Sequence, residues 1–170
     1  MSNFARWKRG NYDEPIRKLS LIHIDVYKRQ RVRELGMDSI AITDHGVMYG
    51  VIDFYRACRT AGVHPVIGCE VYVAPRSLTD KVHGLDSDPY HLVLLCENMT
   101  GYKNLCFLVS RAFVDGFYNK PRVDLELLAE HSEGLIALSA CLAGAIPQMC
   151  IRDSRQLMLW QDSVWYFRIR

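Results

Sequence analysis

Asp44 and His45 close the run Ile40-Ala41-Ile42-Thr43-Asp44-His45-Gly46, an apolar stretch too short for a helix that stops at a carboxylate and an imidazole. The glycine behind them frees the backbone to turn. Similar placements recur downstream. Glu70 follows the apolar stretch 63–67, His91 opens His91-Leu92-Val93-Leu94-Leu95-Cys96, and Cys141 follows Leu135-Ile136-Ala137-Leu138. His, Asp, Glu and Cys are the side chains that ligate zinc, manganese or iron, and mixed nitrogen and oxygen sets typify hydrolytic metal centres. A bridging carboxylate such as Glu70 would let two cations sit about 3.5–4 Å apart, activating water and clamping a phosphoryl oxygen.

Each residue also has a plainer reading. Asp44 can cap the following helix with His45 packed beneath it, Glu70 can be half of an ion pair, and His91 an ordinary half-buried histidine. Free cysteine is commonly a small buried hydrophobe, which is the plain reading of Cys141. No residue is singled out as catalytic, and His64, His83 and His131 receive no role. Lys103, Arg111, Lys120 and Arg122 surround Tyr118 and can touch phosphates, but a solvated face is the simpler expectation.

The elements that must position these residues are short. The pattern predicts a helix end at 31–35 closed by Gly36, a strand over 39–43, and a helix over 50–61 with Val51, Phe54, Tyr55 and Cys58 on one face and Gly62 as its stop. It then predicts a strand at 63–67, interrupted by Gly68-Cys69-Glu70 and resumed at 71–73, a loop over 75–89, and a strand at 91–96. Thr100 is the expected N-cap of a helix over 101–112, turning Leu105, Leu108, Val109 and Ala112 inward, and Asp124 caps a second helix, 125–131. A strand at 135–138 completes the series. Apolar strands alternating with one-sided helices predict a parallel α/β arrangement, open sheet or barrel, with its chemistry at the C-terminal strand ends. In that arrangement His91 is awkward, because it stands at a strand start; only a bulge or an offset strand would bring it to the rim.

The chain has 170 residues, enough for one domain with a sizeable core. No apolar run approaches the roughly 20 residues of a membrane span, and no signal-peptide pattern opens the sequence. The six cysteines, 58, 69, 96, 106, 141 and 150, show no Cys-x-x-Cys spacing and fit reduced thiols in a cytoplasmic protein. A net charge of +2 hides an asymmetry: nine Lys/Arg face three acids in residues 1–33, while eight face fourteen in 34–148.

That asymmetry has a dull explanation. Leu19-Ser20-Leu21-Ile22-His23-Ile24 can be encoded by CTG TCT CTT ATA CAC ATC, whose reverse complement translates as Asp25-Val26-Tyr27-Lys28-Arg29-Gln30. The same word in a shifted frame gives Met149-Cys150-Ile151-Arg152-Asp153-Ser154. One codon string read in three ways looks like translated transposase-adapter sequence from a contaminated assembly. The expectation is that 19–30 and 149–154 are artefacts, so that residues 1–30 and 149–170 are doubtful or artefactual and 31–148 form the domain.

Three strings carry a resemblance. They are Ile42-Thr43-Asp44-His45-Gly46-Val47-Met48-Tyr49-Gly50, Ile67-Gly68-Cys69-Glu70-Val71-Tyr72-Val73-Ala74-Pro75-Arg76 and Gly134-Leu135-Ile136-Ala137-Leu138-Ser139-Ala140-Cys141-Leu142-Ala143-Gly144. With Tyr90 to Leu95, Gly101 to Leu105 and Phe117 to Asp124 in the same order, they resemble the PHP (polymerase and histidinol phosphatase) domain that opens bacterial DNA polymerase III alpha subunits. The resemblance implies a distorted (βα)7 TIM-like barrel, here incomplete, with up to three metals at its rim. By position His45, Glu70, His91 and Cys141 match ligand positions, and Asp44 is the acidic member of the Thr-Asp-His motif. In some members this site is a metal-dependent 3′–5′ exonuclease; in others it is a structural platform.

The family's early His-x-His pair has no counterpart in residues 1–30, and its later Asp-x-His ligands and the polymerase palm are absent from the sequence. A divalent metal (Zn, Mn or Fe) is therefore expected in the intact family domain but bound weakly or not at all here. The leading expectation is an N-terminal PHP fragment of a bacterial replicative DNA polymerase, meeting DNA, the proofreading exonuclease subunit and the sliding clamp through its parent, with no membrane partner. The alternatives are a stand-alone phosphoesterase of the histidinol phosphatase kind and a non-catalytic interaction module.

Overall fold

The longest strand organises everything else. The computed structural model describes residues 31–32, 34–145, 147–148 and 166–168. The segments expected to be adapter-derived, 19–30 and 149–154, lie outside those residues. Six strands are described, β1 (Ser39–His45), β2 (His64–Val73), β3 (Tyr90–Cys96), β4 (Arg122–Val123), β5 (Leu135–Leu138) and β6 (Tyr166–Arg168). They form one sheet in the order β1-β2-β3-β5-β6, with β4 beside β2. The helices described in full are α1 (Val51–Ala61), α2 (Met99–Val114) and α3 (Leu125–Glu130).

The sheet is mixed rather than parallel. β1 and β4 run parallel to β2, but β3 runs antiparallel to it and β5 antiparallel to β3. An apolar run reads alike in both directions, so the alternation of helices and strands could not reveal this reversal. β2 is also one continuous strand, and Glu70 lies within it rather than after an interruption. Gly68 permits that continuity: a Cβ there would stand 2.5 Å from the Leu94 carbonyl oxygen. β6, from the segment expected to be foreign, adds an antiparallel strand against β5.

Successive strand residues project to opposite faces. Cys69, Val71 and Val73 of β2 join Leu94, Leu105, Leu108, Ala112, Val123, Leu128, Leu135 and Ala137 in the main core, beneath α2 and α3. A smaller cluster gathers Val32, Phe54, Cys58 and Val63 beneath α1. Tyr55, expected on that buried face, is 47% exposed. α1 stops as expected at Gly62, whose left-handed backbone (φ 69°) donates to the carbonyls of Cys58 and Arg59. α2 begins earlier than expected. Asn98, not Thr100, is its N-cap, with Oδ1 accepting from the Gly101 amide at 3.0 Å. Asp124 caps α3 as expected, accepting from the Leu127 amide at 3.0 Å.

The loop 74–89 is fastened from outside itself. Arg122, expected on a solvated face, is fully buried. Its guanidinium donates to the carbonyls of Gly116 (3.0 Å), Asp86 (3.1 Å), Leu78 (3.2 Å) and Asp80 (2.7 Å). Buried Asp86 accepts from Arg76 Nε and Nη2 at 3.0 and 2.6 Å and from the Val82 amide at 2.8 Å. The Arg76 guanidinium holds the Asp86 carboxyl down at about 2. Among the described residues no helix is long and apolar enough to cross a membrane.

Candidate metal centre

The reversal of β3 solves the problem of His91. Because β3 runs back along β2, its first residues lie at the end where β1 and β2 finish. Tyr72 pairs with His91, Glu70 with Val93, and His45 with Glu70. β5, antiparallel to β3, finishes at the same end, with Leu138 opposite Val93. Four strands thus deliver His45, Glu70, His91 and Cys141 to one rim, on the sheet face away from the helices.

Glu70 is the hub. Its Oε1 lies 2.8 Å from His91 Nδ1 and 3.3 Å from His45 Nδ1. Cys141 Sγ lies 3.4 Å from the same His91 nitrogen. One potential ligand atom each from Glu70, His91 and Cys141 falls within 4.8 Å of the others. Glu70 and His91 side chains are 15% and 19% exposed, whereas that of His45 is 65% exposed, so the group opens toward solvent through β1.

Asp44 is not brought into this group. As the strand neighbour of His45 it projects to the opposite, helix-bearing face, where Oδ2 comes 3.5 Å from where a Cβ on Gly50 would sit. Gly50 is the N-cap residue of α1 and has no side-chain cap of its own, so Asp44 places negative charge beside a helix N-terminus. The plain reading of Asp44 as a helix-start acid therefore describes its position better than membership of the rim.

Two backbone devices hold the ligands. Cys141 follows Ala140, a non-glycine residue in the left-handed region (φ 57°). The turn then closes through Gly144 N to Cys141 O (2.8 Å) and ties back to β3 through His91 N to Ala143 O (3.1 Å). A Cβ on Gly144 would meet the Ser139 oxygen at 2.2 Å, so only glycine lets the turn close. On the other side, buried Cys69 donates its thiol to the carbonyls of Asp44 (3.2 Å) and Val47 (3.5 Å), fixing the turn behind His45. Burial pushes that thiol up to about 12.

Tyr72 escaped the sequence reading, although its spacing two residues beyond Glu70 placed it on the same face. Its ring meets the His91 ring edge-on at 5.2 Å, and the Lys120 ammonium stands 4.4 Å above it. Burial, then the nearby Glu70, raises its phenol above the usual tyrosine range.

One oxygen from β2, one nitrogen from β3 and one sulfur from the turn after β5, with an imidazole alongside, form a donor set that fits a zinc-like cation. The fit rests on this chain's own geometry: the carboxylate oxygen already faces two imidazole nitrogens.

Comparison with known proteins gives the family of the whole segment. The PHP domain family profile matches residues 27–169. The DNA polymerase III subunit alpha of Chlamydia pneumoniae is 47% identical over 128 residues, covering 75% of this chain and 10% of that protein. Its counterpart in Thermus aquaticus is 49% identical over 121 residues, covering 70% of this chain and 10% of that protein. The Treponema pallidum counterpart is 42% identical over 154 residues, covering 82% and 13%. The chain thus spans about a tenth of the length of the curated relatives it matches. A rim built from four strands and a profile match along most of the sequence lead to one assignment: this chain belongs to the PHP domain family, and the relatives it matches are DNA polymerase III alpha subunits.

Proposed function

We propose that the chain is the PHP portion of a bacterial replicative DNA polymerase, whose rim group holds a divalent cation weakly and acts on phosphoesters. The observation that carries it is the Glu70 carboxylate oxygen shared between His45 and His91, with Cys141 closing the group. A bound zinc, manganese or iron would supply Lewis acidity and a water of lowered pKa. The protein's part is to hold the donors. Glu70 fixes the orientation of both imidazoles, the T-shaped contact with Tyr72 limits the tilt of His91, and the Gly144 turn presents the Cys141 sulfur. Among the described residues only Glu70, His91 and Cys141 converge closely, and so small a donor set is the reason for weak binding.

The sheet is read as a section of the family's distorted (βα)7 barrel. Its helix-free face carries Val93, Leu95, Ile136 and Leu138, all half-buried, behind the polar rim. An apolar face of this kind suits a lumen. The domain is assigned to 31–148, with 1–30 and 149–170 as doubtful or artefactual flanks. Resequencing the source with different library chemistry tests that assignment, and an unbroken reading frame retaining both repeated words would refute it.

Through its parent, the domain would meet DNA, the proofreading exonuclease subunit and the sliding clamp in the bacterial cytoplasm. The matched relatives support this role over a stand-alone histidinol phosphatase-like enzyme. Calorimetric titration of the purified chain with zinc and manganese, followed by a phosphodiesterase assay, tests the site. Binding of one cation in the micromolar to millimolar range is expected; no uptake of either metal would overturn the reading.

A further inference from the structure

Lys120 is held where few surface lysines are. The residue before it, Asn119, adopts a left-handed backbone (φ 59°), and the tight turn is closed by Tyr118 N donating to Lys120 O at 3.0 Å. The residues after it are clamped. The Pro121 ring packs where a Cβ on Gly46 would lie 3.0 Å away, against the turn directly following His45. Arg122 is fully buried with its guanidinium engaged by four carbonyls. Lys120 is therefore an exposed cation on a segment fixed at both ends.

The clamp aims its side chain. The ammonium stands 4.4 Å from the centroid of the Tyr72 ring, which makes a T-shaped contact with His91, centroid to centroid 5.2 Å. Tyr72 is nearly buried and its backbone is paired on both sides, with His91 and with Arg122, so it acts as a rigid pedestal. One aromatic ring separates a positive charge from the candidate ligands. Among the described residues Lys120 has no carboxylate within 4.0 Å, unlike Arg76 and Arg111, which are both paired. A cation–π contact leaves the ammonium protons free for an anion.

We propose that Lys120 is a phosphate-positioning residue of this rim, holding a non-bridging oxygen of a phosphoester presented to Glu70, His91 and Cys141. The inference rests on the phosphoester reading above, and it names the group that the protein contributes to substrate rather than to metal. Lysine suits the task as a compact point charge for phosphate, and the Tyr72 pedestal reduces the freedom lost when it binds.

The test measures binding rather than turnover. The full chain, as wild type, Lys120→Met and Lys120→Arg, is titrated calorimetrically at low salt with inorganic phosphate and with the dinucleotide dTpdT, with and without zinc. Zinc affinity of each variant is measured separately. Lys120→Met is expected to weaken anion binding about fivefold, leaving zinc affinity unchanged, while Lys120→Arg retains binding within about twofold. Loss for dTpdT alone assigns the residue to a nucleic-acid phosphodiester; equal loss for both ligands assigns it to the phosphate group itself. Either supports the proposal. Unchanged anion affinity in Lys120→Met, equal loss in Lys120→Arg, or no anion binding by the wild type overturns it. Failure of the metal reading would instead appear as absent zinc binding, with the Lys120 dependence still present in the zinc-free titrations.

Discussion

Two polar clusters sit close together on this sheet and behave in opposite ways. Around Arg122 every guanidinium nitrogen meets an acceptor: four carbonyls receive the group, which is fully buried. Around Glu70 the balance is reversed. A carboxylate, two imidazoles and a thiol crowd together, and only one carboxylate oxygen and one His91 nitrogen hold the contacts. A saturated cluster has nothing left to offer a ligand, so its work is structural. A cluster rich in lone pairs and open to solvent is one that a cation would complete. Charge alone does not separate the two; counting donors against acceptors does.

The sharpest way to break the comparison is to remove the saturated centre. Arg122→Met leaves two buried and two part-buried carbonyls without this partner and is expected to cost roughly 3–5 kcal/mol. Urea unfolding should show a chain that is barely folded; a loss below about 1 kcal/mol would make Arg122 an ordinary surface charge.

At the open cluster the same logic predicts little structural cost and a large chemical one. Glu70→Gln should keep the fold, read by circular dichroism, yet lower cation affinity about tenfold or more. Equal affinity in the variant would remove Glu70 from the ligand set.

Thiol labelling sharpens the contrast further. Cys141 is exposed, while Cys69 is fully buried, with burial pushing its thiol up to about 12. Iodoacetamide at pH 8 should therefore modify Cys141 at least about a hundredfold faster than Cys69. Added zinc should slow the reaction at Cys141 alone. Comparable rates at the two residues would mean that the turn behind His45 opens readily.

The smallest effect is expected from acid. The Arg76 guanidinium holds Asp86 at about 2, below its ordinary value of 3.8. A depressed carboxyl stabilises above its ordinary value, and that stabilisation fades as pH falls through the depressed one. The fastening of loop 74–89 should loosen between about pH 4 and pH 2, seen as rising pepsin cleavage within the loop. Cleavage that stays constant across that window would show that Arg122 alone secures it.

Much of the fold was legible because its signals are local. Gly62 and Asp124 mark helix ends through backbone conformation and side-chain reach, and both act as the sequence suggests. Strand direction is not a local property, so the reversal of β3 and the rim position of His91 could not be read. The split between Asp44 and His45 was readable, since adjacent strand residues must face apart, and the strength of their motif obscured it. Arg122 was hidden for a different reason. Within Asn119-Lys120-Pro121-Arg122 two cations look alike, and only tertiary packing makes one a buried anchor and leaves the other exposed over the Tyr72 ring.

The fastening of residues 74–89 has a consequence for how this rim can change over time. Arg122 grips main-chain oxygens, which every amino acid supplies, and so is indifferent to the side chains at Leu78 and Asp80. Because β3 doubles back, that segment departs and re-enters the sheet beside Glu70 and His91. Substitutions along it at positions other than Arg76 and Asp86 can retune what the rim admits while its anchorage stays intact, giving descendants of this scaffold a place to explore new specificities at little structural risk.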